Sequence, residues 1–166
     1  MNYNQQRSWS DKFMPSVKSI LGQEIIGIST YEQDTEQATD LVILTTKAQQ
    51  IACRVRNYEN YKNYVKEFTI RSRSMYGKET EIHKILQGHG DWMFYGFGVN
   101  DEVIKWTIID LHIFRDIYTN NYEAVSPVSK KNQDGTEFLI FNLCKFPAQV
   151  IVNTNIEIIS EYKENA

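Results

Sequence analysis

Residues 40–56 read D-L-V-I-L-T-T-K-A-Q-Q-I-A-C-R-V-R, two apolar runs on either side of a polar turn. The first run is continuously apolar, which predicts a strand covered on both faces. The second alternates. Ile51, Cys53 and Val55 point one way, and Ala52, Arg54 and Arg56 the other, as the period-two geometry of a strand requires. A short polar link between two such runs predicts a β-hairpin. Asp40 then stands where one strand opens, and two guanidiniums share a face of its neighbour.

Upstream, Phe13, Val17, Ile20 and Leu21 recur at helical spacing, with Ser10 as N-cap, Pro15 near the first turn and Gly22 as the stop. The run E-I-I-G-I-S-T-Y then predicts a short strand, followed by the acidic loop E-Q-D-T-E-Q. Downstream of the hairpin, Tyr58, Tyr61 and Tyr64 recur at every third position without aliphatic partners, which predicts a short helical or irregular excursion. The stretch K-E-F-T-I-R-S returns to strand alternation, with Phe68 and Ile70 inward and Glu67, Thr69 and Arg71 on the other face. A helix over 78–87 buries Ile82, Ile85 and Leu86 and stops at Gly88.

The runs D-W-M-F-Y-G-F and V-I-K-W-T-I-I-D predict a strand pair, with Trp92, Phe94 and Tyr95 in the core and Asp91 capping the turn before it. Residues 111–118 predict a short helix, 119–136 a polar mobile loop, and E-F-L-I-F-N-L and A-Q-V-I-V-N two final strands. The order helix, three strands, helix, strand pair gives an α/β fold: a single domain with a central mixed β-sheet flanked by helices. K-E-F-T-I-R-S is expected beside the Arg54 strand in that sheet.

A chain of 166 residues suffices for one domain with a substantial core. With 18 Lys+Arg against 21 Asp+Glu, bulk charge does not suit coating nucleic acid or membranes. The charge is uneven, however. Residues 47–84 hold nine basic side chains, Arg54, Arg56, Arg71, Arg73 and Lys84 among them, against the four acidic ones Glu59, Glu67, Glu79 and Glu81. A local basic surface of this kind is what a polyanion groove needs, and a solvated face is the plainer alternative. No run reaches transmembrane length and the first residues lack a secretory apolar region, so a cytoplasmic protein with no membrane association is expected. Cys53 and Cys144 lie in apolar runs and read as reduced core thiols. Neither G-x-x-x-x-G-K-[ST] nor G-x-G-x-x-G occurs, and His83, His89 and His112 have no ligand-like spacing.

Asp40 opening the second strand, with a polar pair at spacing two in the third, resembles the PD-(D/E)XK, or restriction-endonuclease-like, superfamily. The runs A-T-D-L-V-I-L, R-V-R, E-F-T-I-R-S, T-E-I-H-K-I, G-D-W-M-F-Y-G-F and W-T-I-I-D-L-H-I-F-R also resemble an uncharacterised group of phage and bacterial proteins, over roughly residues 38–118. In that superfamily an aspartate on the second strand and E-x-K on the third hold Mg²⁺ and position the attacking water. Here Asp40 matches the aspartate, while Arg54 and Arg56 stand in place of the glutamate and lysine. Arg56 can supply the fixed positive charge. Arg54 cannot supply a metal-binding carboxylate, because its guanidinium stays charged.

The resemblance therefore implies two readings. One is a Mg²⁺-dependent nuclease with Asp40, Glu67 and Arg56 catalytic. Its metal would be held by Asp40, Glu67 and Glu81, with Glu24 as a further carboxylate, and its phosphates by Arg54, Arg56, Arg71, Arg73 and Lys84. The other is a catalytically inactive binder of phage type that holds nucleic acid, DNA favoured, or a host protein. Both readings allow a homodimer. The plainer alternatives are that the three strand arginines pair with Glu67, and Glu81 with Lys84 along one helix face.

Overall fold

Pro15 and Gly22 bound the first long helix. The computed structural model describes residues 8–22, 25–28, 41–44, 48–74 and 78–163. Residues 8–11 make a helical turn, and α1 begins at Met14 and runs to Leu21. The sequence predicts one continuous helix capped by Ser10, but Phe13 takes the N-cap position and Ser10 contributes only its backbone carbonyl, to the Phe13 N–H. Proline at the start of α1 is the cause: it has no N–H to lose there and its φ is already helical. Gly22 ends α1 at φ +91°, a backbone region that side chains disfavour.

The predicted hairpin is present: β2 (Leu41–Leu44) and β3 (Ala48–Asn57) pair antiparallel, with Leu41 opposite Ile51 and Leu44 opposite Ala48. β1 (Ile25–Ile28) adds to the far side of β2. Asp40, Glu24, the acidic loop and the turn at 45–47 lie outside the described residues, as does the predicted burial of the Leu41–Leu44 side chains. After β3 the tyrosine-rich stretch forms α2 (Tyr58–Tyr61) and a 3₁₀ turn (Lys62–Tyr64). Then come β4 (Glu67–Arg73) and α3 (Glu81–Leu86), the latter shorter than the predicted 78–87 because the chain stays extended through its N-cap Thr80.

β5 (Trp92–Val99) and β6 (Glu102–Asp110) form a hairpin whose two turn residues, Asn100 and Asp101, both have positive φ. That conformation matches the strand twist and suits Asn and Asp. Then follow α4 (Leu111–Asn120), α5 (Tyr122–Val125), β7 (Val128–Lys131), β8 (Glu137–Asn142) and β9 (Ile151–Thr154). The segment 119–136, predicted as one polar loop, therefore carries the end of α4, all of α5 and an edge strand.

The fold is mixed α/β with two sheets, not one. The larger has the order β1-β2-β3-β5-β6-β9, mixed through its parallel β3–β5 pair; the smaller is antiparallel, β4-β8-β7. The predicted place of K-E-F-T-I-R-S beside β3 is thus corrected. β3 already has β2 on one edge and β5 on the other, so β4 pairs with β8 instead.

The alternation in β3 survives intact. Ile51 and Val55 pack with Phe13, Val17, Phe94 and Ile108, covering one face of the large sheet with α1. The other face carries Met93, Tyr95, Phe97 and Ile109 against α3, α4 and the small sheet, where Phe68, Phe114 and Phe141 meet at ring separations of 5.1–5.9 Å. Trp92 is half-buried, whereas Phe94 and Tyr95 are buried as predicted. Cys53 is half-buried and Cys144 buried, and no disulfide joins them. No described helix is long and apolar enough to cross a membrane.

Candidate functional site

The two sheets meet at β3 and β4, and a groove of about 690 Å³ opens there. Residues of β3 (Cys53–Asn57) line one part, and Glu67, Thr69 and Arg71 of β4 another, together with Phe138 and Ile140 of β8 and Lys130 of β7. The β4–β8–β7 register explains that second wall. Thr69 lies opposite Ile140, Arg71 opposite Phe138, and Phe138 opposite Lys130, so their side chains leave one face of the small sheet. Asn60, Tyr61 and Tyr64 line the groove from the turn after β3, and Trp9 and Met14 from the N-terminal helical segments.

Polar bonds join the sheets at the groove's base. Arg56 donates through Nε to the Tyr95 hydroxyl at 3.2 Å and through Nη2 to Thr69 Oγ1 at 2.8 Å. The Thr69 and Tyr95 hydroxyls lie 3.1 Å apart. All these partners are neutral, so the Arg56 charge is not cancelled by them. Its guanidinium carbon also sits 5.8 Å from the centre of the Tyr61 ring, within cation–π range.

Arg54 is placed differently. Its Nη2 meets Glu81 Oε2 at 2.6 Å and its Nη1 donates to the Thr69 carbonyl at 2.7 Å. The same Glu81 oxygen accepts the Arg71 backbone N–H at 3.0 Å. Thr69 and Arg71 are two residues apart on an edge strand, so their backbone groups point the same way, away from β8. The ion pair thus satisfies the free edge of β4, much as another strand would.

The predicted site residues separate into three sets. Arg54, Arg56, Glu67 and Arg71 come together around the groove. Arg73, Lys84 and Glu81 do not line it: Arg73 turns to Glu137 at 3.2 Å, its register partner on β8, and Glu81 is engaged by Arg54. Asp40 and Glu24 lie outside the described residues. Of the plainer pairings, neither is found among the described residues. No arginine side chain pairs with Glu67, and Glu81 turns from Lys84 to Arg54, which together with the Arg71 N–H supplies the hydrogen bonds its partly buried carboxylate needs.

Burial pushes the Glu67 carboxyl above the usual glutamate range, and the Lys130 ammonium partly opposes that shift. Arg71 and Lys130 have no salt-bridge partner among the described residues.

The described side chains do not fit Mg²⁺. Glu81, one predicted ligand, spends an oxygen on a guanidinium at 2.6 Å, a neighbour that repels a second cation. Among the described residues no three His, Cys, Asp or Glu side chains gather closely enough to hold a metal ion.

Lys130 escaped sequence reading because all of β7 is exposed and shows no alternation. Tyr61 and Tyr64 left a signal, a ring at every third position with no aliphatic partner.

A second polar cluster also went unread. Its position predicts only a capping role for Asp91, yet the carboxylate accepts the Gln50 N–H at 2.8 Å and meets His112 Nε2 at 3.0 Å. Arg115 donates to His112 Nδ1 at 2.7 Å, to the carbonyl of Ile85 in the last turn of α3, and to those of His89 and Gly90 beyond it. A guanidinium can only donate, so His112 presents a bare Nδ1 to Arg115 and its Nε2–H to Asp91. The cluster ties the start of α4 to the start of β3 and the end of α3. Comparison with protein-family models, with curated proteins and with solved structures gives no match.

Proposed function

We propose that the groove between the sheets binds the phosphate backbone of nucleic acid, in a degenerate restriction-endonuclease-like fold that holds its ligand without cutting it. One observation carries this reading. Arg56, Arg71 and Lys130 line the same groove, and none has an ion-pair partner among the described residues. These three cations, set on one concave surface together with the carboxylates of Asp11, Glu67 and Glu137, form a local site for a phosphate backbone. Arg54, which replaces the motif glutamate, serves to join the sheets through Glu81 and so argues for binding over chemistry.

Three phosphate contacts predict that log affinity falls with log salt at a slope of about −2 to −3. Arg71→Ala and Lys130→Ala should each lower affinity and reduce that slope by about one, while Arg73→Ala and Lys84→Ala leave it nearly unchanged. A salt-independent affinity, or equal effects from both pairs, rejects the groove and favours a host-protein partner.

A second reading keeps cleavage. Glu67 is a carboxylate on the groove wall, and paired with Asp40 it is a candidate for assisting phosphodiester hydrolysis. Incubation with single- and double-stranded DNA and RNA in Mg²⁺ or Mn²⁺ separates the two. Cleavage abolished by Asp40→Ala supports turnover, and intact substrate supports binding alone.

A further inference from the structure

Of the exposed large apolar side chains among the described residues, Tyr61 (42 % exposed) and Tyr64 (52 %) are the two that line the groove. They come from the turn after β3, whereas Arg71 and Lys130, without an ion-pair partner among the described residues, come from the small sheet. Burying a tyrosine ring is favourable, so rings left exposed on a concave surface beside Arg71 and Lys130 offer a face to something else. The Arg56 guanidinium against Tyr61 steadies that ring while much of it remains open.

The volume sets the scale of the occupant. At about 690 Å³ the groove lies among small-ligand sites, roughly 300–1,000 Å³, and takes about one or two nucleotides. A base pair buried in a duplex shows only its edges and cannot lay a face on a tyrosine. An unpaired base can.

We infer that the groove takes single-stranded nucleic acid, stacking unpaired bases on Tyr61 and Tyr64 while Arg71 and Lys130 hold the adjoining phosphates. This rests on the nucleic-acid reading above and narrows it to one substrate class. Stacking on a tyrosine face is tolerant of base identity, so the preference is for strandedness over sequence.

Fluorescence anisotropy with a labelled oligothymidylate of about 12 nucleotides, and with a duplex of equal length, tests it at about 0.1 M salt. The single strand should bind at least about tenfold tighter than the duplex, and Tyr61→Leu and Tyr64→Leu should each weaken it by about tenfold. Tyr61→Phe should bind as wild type does, because the ring face and not the hydroxyl is used. Unchanged circular dichroism and melting temperature show that the variants are folded, and wild-type tyrosine emission should be quenched as oligothymidylate is added. Equal or tighter binding of duplex, or leucine variants that bind as wild type does, overturns the single-strand assignment while leaving the phosphate groove standing. Wild type that binds neither probe, even at low salt, overturns both.

Discussion

Arg54 and Glu81 meet at 2.6 Å, and between them they bind the carbonyl of Thr69 and the N–H of Arg71 on the free edge of β4. Two side chains read from sequence as a motif replacement and a metal ligand thus join the two sheets.

Arg54→Met and Glu81→Gln should each destabilise the fold by about 2–3 kcal/mol. Each leaves a partly buried partner without its counter-charge, and Arg54→Met also strips the Thr69 carbonyl of its bond. The double variant should cost less than the two losses added together, since the residues act as a pair. Urea midpoints for the four proteins close the cycle. Strict additivity means the contact does not join the sheets energetically.

Glu67 gives the groove a pH dependence of known sign. Its carboxyl titrates above the usual range in the folded state, so the unfolded chain loses this proton first. The stability tied to the protonated form is complete below the usual glutamate range and drains away as pH climbs through the raised value. Glu67→Gln removes that component. The variant should be at least as stable as wild type near neutrality and lose this advantage in acid. Denaturant midpoints from about pH 4 to pH 8 would show it, and identical pH profiles would refute it. The same change should tighten oligonucleotide binding a few-fold, the opposite of what loss of an essential metal ligand would do to cleavage.

Gly98 is set by a neighbour's shape. A methyl group at this position would fall 2.2 Å from the Phe13 ring, the contact that holds α1 on the sheet. Gly98→Ala should cost about 1–3 kcal/mol by overpacking. Phe13→Leu in the same chain should recover part of that loss by opening the space. Calorimetric melting of single and double variants checks this; a double variant less stable than the additive sum contradicts it.

Local signals made much of the fold legible. The period-two pattern around Arg54 and Arg56 fixed both the hairpin and the faces of β3, and the runs D-W-M-F-Y-G-F and V-I-K-W-T-I-I-D marked the second strand pair. Residues 111–118 carried enough helical spacing to find α4, with Asp110 accepting the N–H groups of His112 and Ile113 at its start. The second sheet was hidden for a physical reason. Strand alternation gives a strand's faces but not its partner, and Thr69 meets Ile140 only through the tertiary fold. The candidate site divides the same way. Arg56, Glu67 and Arg71 were found as same-face residues of strands, whereas Lys130 needed two register steps across the small sheet to reach them. Asp40, on which the metal reading turns, lies outside the described residues.

β4 leaves the large sheet between β3 and β5, two strands that lie side by side, and waits for β8, which follows the whole of β6 and α4. Neither half of the chain can complete its own hydrogen-bonded ladder while the other is absent. Such threading makes unfolding a single cooperative event and makes refolding slow, because distant partners must find each other before either is secure. A nascent chain therefore exposes a lone β4 edge until most of its length has been synthesised, and is open to mispairing with a second chain over that interval.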